Sequence, residues 1–154
     1  AKIWRLTTYV KAENRMVTQG EEDKLSKLHI KNKTLQINAS DKELSELYTR
    51  ASLFVFPSLY EGFGIPILEA YACHCPIAIS NTSCFPEIAG DAAIYFDPYS
   101  VKDIANTIEA IIYNPQKANE LIQKGIKRLE LYSWEKTVVE TEETYKKAIQ
   151  GYNF

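Results

Sequence analysis

Short apolar runs alternate with longer amphipathic ones along this chain. Residues 3–10, 35–38, 53–57 and 76–80 are rich in Val, Ile, Leu and Phe, and a further run at 93–96 ends at Asp97-Pro98. Their apolarity is continuous rather than alternating, which predicts strands covered on both faces. The connecting segments carry helix start signals. Ser40-Asp41-Lys42-Glu43 is a capping box ahead of Leu44, Leu47 and Tyr48. Ser100 with Asp103 opens a helix whose Val101, Ile104, Ala105, Ile108, Ile111 and Ile112 keep helical spacing. Asn114-Pro115 opens another, because Pro suits the first helical position. Ser133 caps a last helix over 133–150, with Trp134, Val138, Thr141, Tyr145 and Ala148 on one stripe. Residues 11–27 are the least regular stretch. Strand and helix in alternation predict an α/β fold, a parallel sheet with helices on both faces, in a single domain spanning 1–154.

Composition changes this picture little, but it removes some functions. The 154 residues are 45% apolar and 25% charged, as in an ordinary globular domain. A net charge of −2 argues against a nucleic-acid binder, which needs clustered Lys and Arg against phosphate. The basic runs Lys31-Asn32-Lys33 and 124–128 read as solvated faces. No apolar run approaches the roughly 18 residues of a membrane span. Three cysteines cannot all pair, so reduced thiols and a cytoplasmic setting are expected. The start Ala1-Lys2-Ile3-Trp4-Arg5 has neither an initiator Met nor a signal-peptide layout, which reads as a fragment.

The chemistry concentrates in Ser58-Leu59-Tyr60-Glu61-Gly62-Phe63-Gly64-Ile65-Pro66-Ile67-Leu68-Glu69-Ala70. This stretch follows a strand-like run and opens a helix-like one through a Gly-x-Gly elbow. Such an elbow leaves backbone N–H groups free, and the positive end of the helix dipole favours an anion beside them. With the helix starting near Gly64, Glu69 lies about 7–8 Å further along its axis at 1.5 Å per residue, while Glu61 stays on the loop. The two carboxylates therefore do not form an adjacent acid/base dyad; they suit different parts of one long ligand. A carboxylate repels phosphate and accepts hydrogen bonds from hydroxyls, so sugar and ribose groups are its natural partners. Gly62 and Gly64 are expected to tolerate positive φ and close ligand approach. On spacing alone, a bland reading is equally good: Glu61 caps the helix by charge, Glu69 is solvated, and the glycines only make a turn.

A resemblance shifts that balance. Phe56-Pro57-Ser58-Leu59-Tyr60-Glu61-Gly62-Phe63-Gly64, Leu68-Glu69-Ala70-Tyr71-Ala72-Cys73, Ser80-Asn81-Thr82, Pro86-Glu87, Gly90-Asp91-Ala92-Ala93, Asp97-Pro98 and Tyr132-Ser133-Trp134-Glu135 occur in the order found in one family. They resemble the C-terminal donor-binding domain of retaining GT-B glycosyltransferases of the Glu-x7-Glu type, glycosyltransferase family 4. The resemblance implies a Rossmann-like parallel sheet with helices on both faces, the C-terminal half of a GT-B fold. It implies transfer of a sugar from a UDP-, GDP- or ADP-sugar to a glycan or glycolipid acceptor, with no metal or other cofactor. Glu61 would be the catalytic residue, a group beside the donor sugar that positions it and stabilises charge. Gly62, Phe63, Gly64 and Ile65 would contact sugar and phosphate through the backbone, and Glu69 would hold the ribose hydroxyls.

The family's Gly-Arg…Lys-Gly segment, which supplies basic side chains to the diphosphate, has no match here. An N-terminal acceptor domain is expected upstream, so the chain reads as a truncated donor half that alone binds weakly and turns over nothing. Where the family often has Gly-Thr, this chain has His74-Cys75. By analogy alone, polysaccharide or glycolipid assembly fits the setting, with peripheral attachment at the inner face of a membrane.

Other chemistries fare worse. Cys73-His74-Cys75 with Cys84 offers zinc ligands, but without the two-residue gap of zinc knuckles, so burial as small apolar residues is the expected role of the cysteines. Ser58 has no nearby His and no Gly-x-Ser-x-Gly elbow, and His29 reads as a surface or satisfied histidine. A non-catalytic nucleotide-sugar-binding or partner-binding module stays open as the alternative. A receiver domain needs acids at strand ends that here carry Asn38, Pro57 and Ser80.

Overall fold

The computed structural model describes residues 18–151. The chain divides into two compact units between Leu44 and Ser45. In the first, helix α1 (Gln19–Lys27) is followed by a 3₁₀ turn at Lys31–Lys33. Thr18 and Glu21 form a reciprocal capping box at the start of α1, so the stretch expected to be irregular is helical over this part. Residues 35–38 form no strand. Leu35 is 60% exposed and none of the four residues is buried, so this run lacks the covered apolar faces expected of it. The expected strand at 3–10 lies outside the described residues.

Helix α2 (Asp41–Arg50) starts at the anticipated capping box, where the Ser40 N–H and hydroxyl both donate to Glu43 Oε2, at 2.9 and 2.7 Å. The second unit continues with β1 (Phe54–Phe56), α3 (Ile65–Ala72), β2 (Ile77–Ser80), α4 (Phe85–Ala89) and β3 (Ile94–Phe96). Three longer helices follow: α5 (Val101–Ile112), α6 (Pro115–Leu129) and α7 (Trp134–Gly151). The strands are parallel in the order β1-β2-β3, with Phe54 opposite Ile77 and Ala78 opposite Ile94.

All four residues of β2 are buried although successive side chains point to opposite faces, so both faces of the sheet are covered there. On one face Ala78, Phe96, Ile111 and Leu121 form a core, with Leu53, Val55, Ile94, Ile104 and Ala118 packed against it. The α5 stripe is narrower than its spacing suggested, because Val101 is 83% exposed and Ala105 also faces solvent. The α7 stripe is exposed along its whole length.

Two contacts hold α3 in place. A Cβ added at Gly125 of α6 would stand 2.4 Å from the Tyr71 ring, so the absence of a side chain lets the two helices close. Tyr71 is buried with an unpartnered hydroxyl, and desolvation raises its pKa strongly. At its C-terminus α3 ends in a Schellman motif: Cys75 N–H donates to Ala70 O at 2.9 Å and His74 N–H to Tyr71 O at 3.0 Å, with His74 at φ 57. His29, at φ 54, ends α1 through the same pair of bonds, to Leu25 O and Ser26 O. Both histidines of the chain are thus helix-terminating residues in a conformation that favours glycine.

Candidate functional site

β1 and β2 end on the same edge of the parallel sheet, and the loops leaving them meet. The first carries Glu61 to Gly64 and the second Asn81 to Cys84. Gly64 is the N-cap of α3 at φ 95, ψ 44, with no side-chain cap hydrogen bond. An added Cβ there would stand 3.2 Å from Ile67 Cδ1 and 3.3 Å from Phe85 Cε1, so both conformation and space call for glycine. Gly62 differs from expectation: its φ is outside the left-handed region, and an added Cβ would meet nothing within 4 Å. Its openness rather than its conformation leaves room for a ligand.

The first turn of α3 is sparing with its donors. Pro66 has no N–H, and the Ile67 N–H donates to Gly64 O at 2.9 Å. The N–H groups of Gly62, Phe63, Gly64 and Ile65 have no protein acceptor among the described residues. They stand at the positive end of the α3 dipole, open to solvent except at the buried Gly64.

The two glutamates flank these donors, each held by a hydroxyl. Ser58 Oγ donates to Glu61 Oε1 at 2.9 Å. The buried Tyr48 donates its hydroxyl to Glu69 Oε2 at 3.4 Å. Both carboxylates are half-buried, and each retains a second oxygen for a ligand hydroxyl. The elbow is further packed by Phe63 against Tyr132, edge to face with centroids 5.8 Å apart. Tyr132 and Arg128 in turn donate to the carbonyl oxygens of Ile88 and Glu87 at the C-terminal end of α4. The basic run at 124–128 is therefore not a free solvated face. Arg128 complements a helix C-terminus, and Lys124 bridges Asp91 and Glu120 at 3.0 Å each.

The cysteines are spent separately. Cys75 is buried and burial pushes its thiol up to about 12. Cys73 lies 3.5 Å from Ser45 Oγ, and Cys84 bonds the Glu61 loop; only Cys75 has the fully buried role expected for all three. A shallow cleft of about 360 Å³ lies on the loops after β2 and β3, lined by Asn81, Thr82, Asp97, Tyr99 and Asp103 among others, and by no residue of the Glu61 elbow. Its carboxylates brace the turn into α5: Asp97 N–H donates to Asp103 Oδ2 at 2.7 Å, and Tyr99 N–H to Asp97 Oδ1 at 2.9 Å. Two acids repel a phosphate there.

The segment from Ser58 to Glu69 thus carries unshared backbone donors and two carboxylates, each held by a hydroxyl. The family model for Glycosyl transferases group 1 matches residues 12–128. The chain belongs to this family. Over 106 residues it is 38% identical to O-antigen chain mannosyltransferase B of Escherichia coli, covering 69% of this chain and 28% of that protein. The C-terminal domain of a group 1 glycosyl transferase, LpcC, from Francisella tularensis superposes with a TM-score of 0.65 at 25% identity, over 73% of this chain and 60% of that one. Sucrose-phosphate synthase of Thermosynechococcus elongatus shares the fold with a TM-score of 0.80 at 22% identity, over 96% of this chain and 39% of that one. The fold is the Rossmann-like C-terminal half of a GT-B glycosyltransferase. The chain spans less than a third of the length of its mannosyltransferase relative.

Proposed function

We propose that this chain is the donor-binding domain of a retaining glycosyltransferase that uses a nucleoside-diphosphate sugar. The observation carrying this reading is the set of unshared N–H groups at 62–65, at the N-terminus of α3 and between Glu61 and Glu69, in a group 1 glycosyl transferase chain. The diphosphate accepts from these donors, and the α3 dipole stabilises charge that develops as it leaves. Glu61, steered by Ser58, accepts from donor-sugar hydroxyls and fixes the sugar's orientation. Glu69, steered by Tyr48, accepts from the ribose diol. The leaving phosphate itself takes the acceptor proton, and the reading assigns no step to a metal.

Mannose is the first sugar to test, because the relative named above is a mannosyltransferase. An acceptor domain and basic diphosphate ligands belong to the complete enzyme, which works in the cytoplasm with peripheral attachment to the inner face of a membrane. No helix among the described residues is long and apolar enough to cross one.

The test is a calorimetric and thermal-shift screen of UDP, GDP, ADP and their sugars. A ligand at 100 times its Kd stabilises the native state by about 2.7 kcal/mol, a shift easily seen by melting. Binding of one nucleotide and its sugar is expected, and no response to any of them contradicts the proposal. In the complete enzyme, Glu61→Ala lowers kcat strongly while Glu69→Ala acts through donor affinity. Unchanged kinetics in the first would remove Glu61 from the mechanism. A binding module without catalysis would instead keep the nucleotide response and lack transfer in the complete protein.

A further inference from the structure

The loop after β2 grips the Glu61 elbow by its backbone. Ser83 Oγ donates to Glu61 O at 2.8 Å, and the Glu61 N–H donates back to Ser83 Oγ at 3.4 Å. The Cys84 thiol lies 3.0 Å from Phe63 O and 3.3 Å from Glu61 O, shared between the two carbonyls. Phe85, next in sequence, is fully buried and packs its ring on Phe56, with centroids 5.1 Å apart, and beneath Gly64.

A trans peptide unit points its C=O and its N–H in opposite directions, and no peptide of the described chain is cis. Holding Glu61 O toward Ser83 and Cys84 therefore turns the Gly62 N–H the other way. Holding Phe63 O toward Cys84 does the same for the Gly64 N–H. A Cβ at Gly62 would meet nothing within 4 Å, so there is open space at the exposed Gly62, while Gly64, further along the chain, is buried.

We propose that Ser83 and Cys84 are positioning residues for the donor: side chains that never touch the ligand but set the two peptide planes whose N–H groups bind it. This rests on the donor-site reading above. Without the clasp both peptides can rotate, and a ligand must order them at its own expense. The thiol is a weak donor, so the hydroxyl is the stronger half of the pair. Ser83 itself is held at φ 55, a conformation that favours glycine and costs other residues energy.

That strain separates a positioning role from a structural one. Ser83→Gly removes the hydroxyl while relaxing the backbone, so its Tm is expected to equal or exceed the wild type. Its Kd for the nucleoside diphosphate, measured with UDP, GDP and ADP by calorimetry, is expected to rise about threefold to tenfold, corresponding to loss of roughly one hydrogen bond's worth of preorganisation. Cys84→Ser restores a donor and stays near wild type, and Cys84→Ala in the Ser83→Gly background weakens binding further. Backbone ¹⁵N order parameters at Gly62 and Gly64 read the clasp directly, expected to fall from about 0.85 toward 0.6 in the double variant.

Wild-type affinity together with unchanged order parameters in the double variant would overturn the proposal. If wild type binds none of the three nucleotides, the donor reading fails. The order parameters still decide the clasp, a fall supporting it and constancy refuting it.

Discussion

Gly62 and Gly64 look equivalent in sequence and should respond to alanine with opposite signs. At Gly64, φ 95 puts any other residue in a disfavoured region, at a cost of about 1–3 kcal/mol. The new methyl would also stand 3.3 Å from Phe85, which is fully buried and cannot yield, and 3.2 Å from the more compliant end of Ile67. Gly64→Ala should therefore cost about 2 kcal/mol, a serious loss for a domain whose total stability is about 5–15 kcal/mol. At Gly62 the methyl points into open space from a permitted backbone, and restricting the unfolded chain stabilises by about 0.4–1 kcal/mol. Urea unfolding followed by circular dichroism gives both numbers, provided the slopes match. Donor affinity should fall in both variants, at Gly62 because the methyl stands where the ligand approaches, and at Gly64 because the elbow shifts. Equal unfolding midpoints for the two variants would refute this account of the elbow.

Gly125→Ala should destabilise by roughly 2 kcal/mol, because overpacking against Tyr71 outweighs the gain of about 1 kcal/mol in helix propensity; a thermal melt that moves upward would show that α3 and α6 do not meet so closely. His74→Gly should raise Tm by a few degrees, since about 1 kcal/mol of left-handed strain is removed at the end of α3 and that energy shifts Tm by about 4 °C in a domain near this size. Acid should destabilise the fold through Glu43, Asp91 and Glu120, whose pKa values are lowered by bonds from Ser40, from Lys124, and from Lys124 with Lys117 respectively. Depressed carboxylates stabilise above their ordinary values of 4.5 and 3.8 and lose that contribution as pH falls through the folded-state values. The urea midpoint should accordingly be flat from neutral pH to about 5 and drop below it, with a smaller drop in Ser40→Ala.

Features legible in the sequence are those whose physics is local. Ser40, Ser100, Asn114 and Ser133 each bond an N–H three residues on, so a short window carries the whole signal. The same signal at Thr18 and Glu21 was there to find α1, but the weak apolar stripe of that segment hid it. Residues 35–38 misled because their apolar composition suggested covered faces, whereas none of the four is buried. The elbow itself was legible as a turn with two acids. Spacing could not tell which glycine takes positive φ, nor that Phe85 of α4 closes the space beside Gly64. Tyr48, Ser83 and Cys84 were illegible for the same reason: their partners lie 21 to 23 residues away in sequence and meet only across the sheet edge. His74 was visible only as a departure from the family's Gly, and the Schellman motif explains it.

The central claim is that one ligand spans the elbow with its ribose on Glu69 and its diphosphate on the N–H groups of 62–65. It is tested most directly by titrating the best-binding nucleoside diphosphate and its 2′,3′-dideoxy counterpart into wild type and Glu69→Ala by calorimetry. Removing the diol should weaken binding to the wild type about tenfold, near the 1.4 kcal/mol expected of a charge-assisted hydrogen bond, and should leave the variant's affinity unchanged. The same loss in both proteins would place the ribose elsewhere and contradict the account.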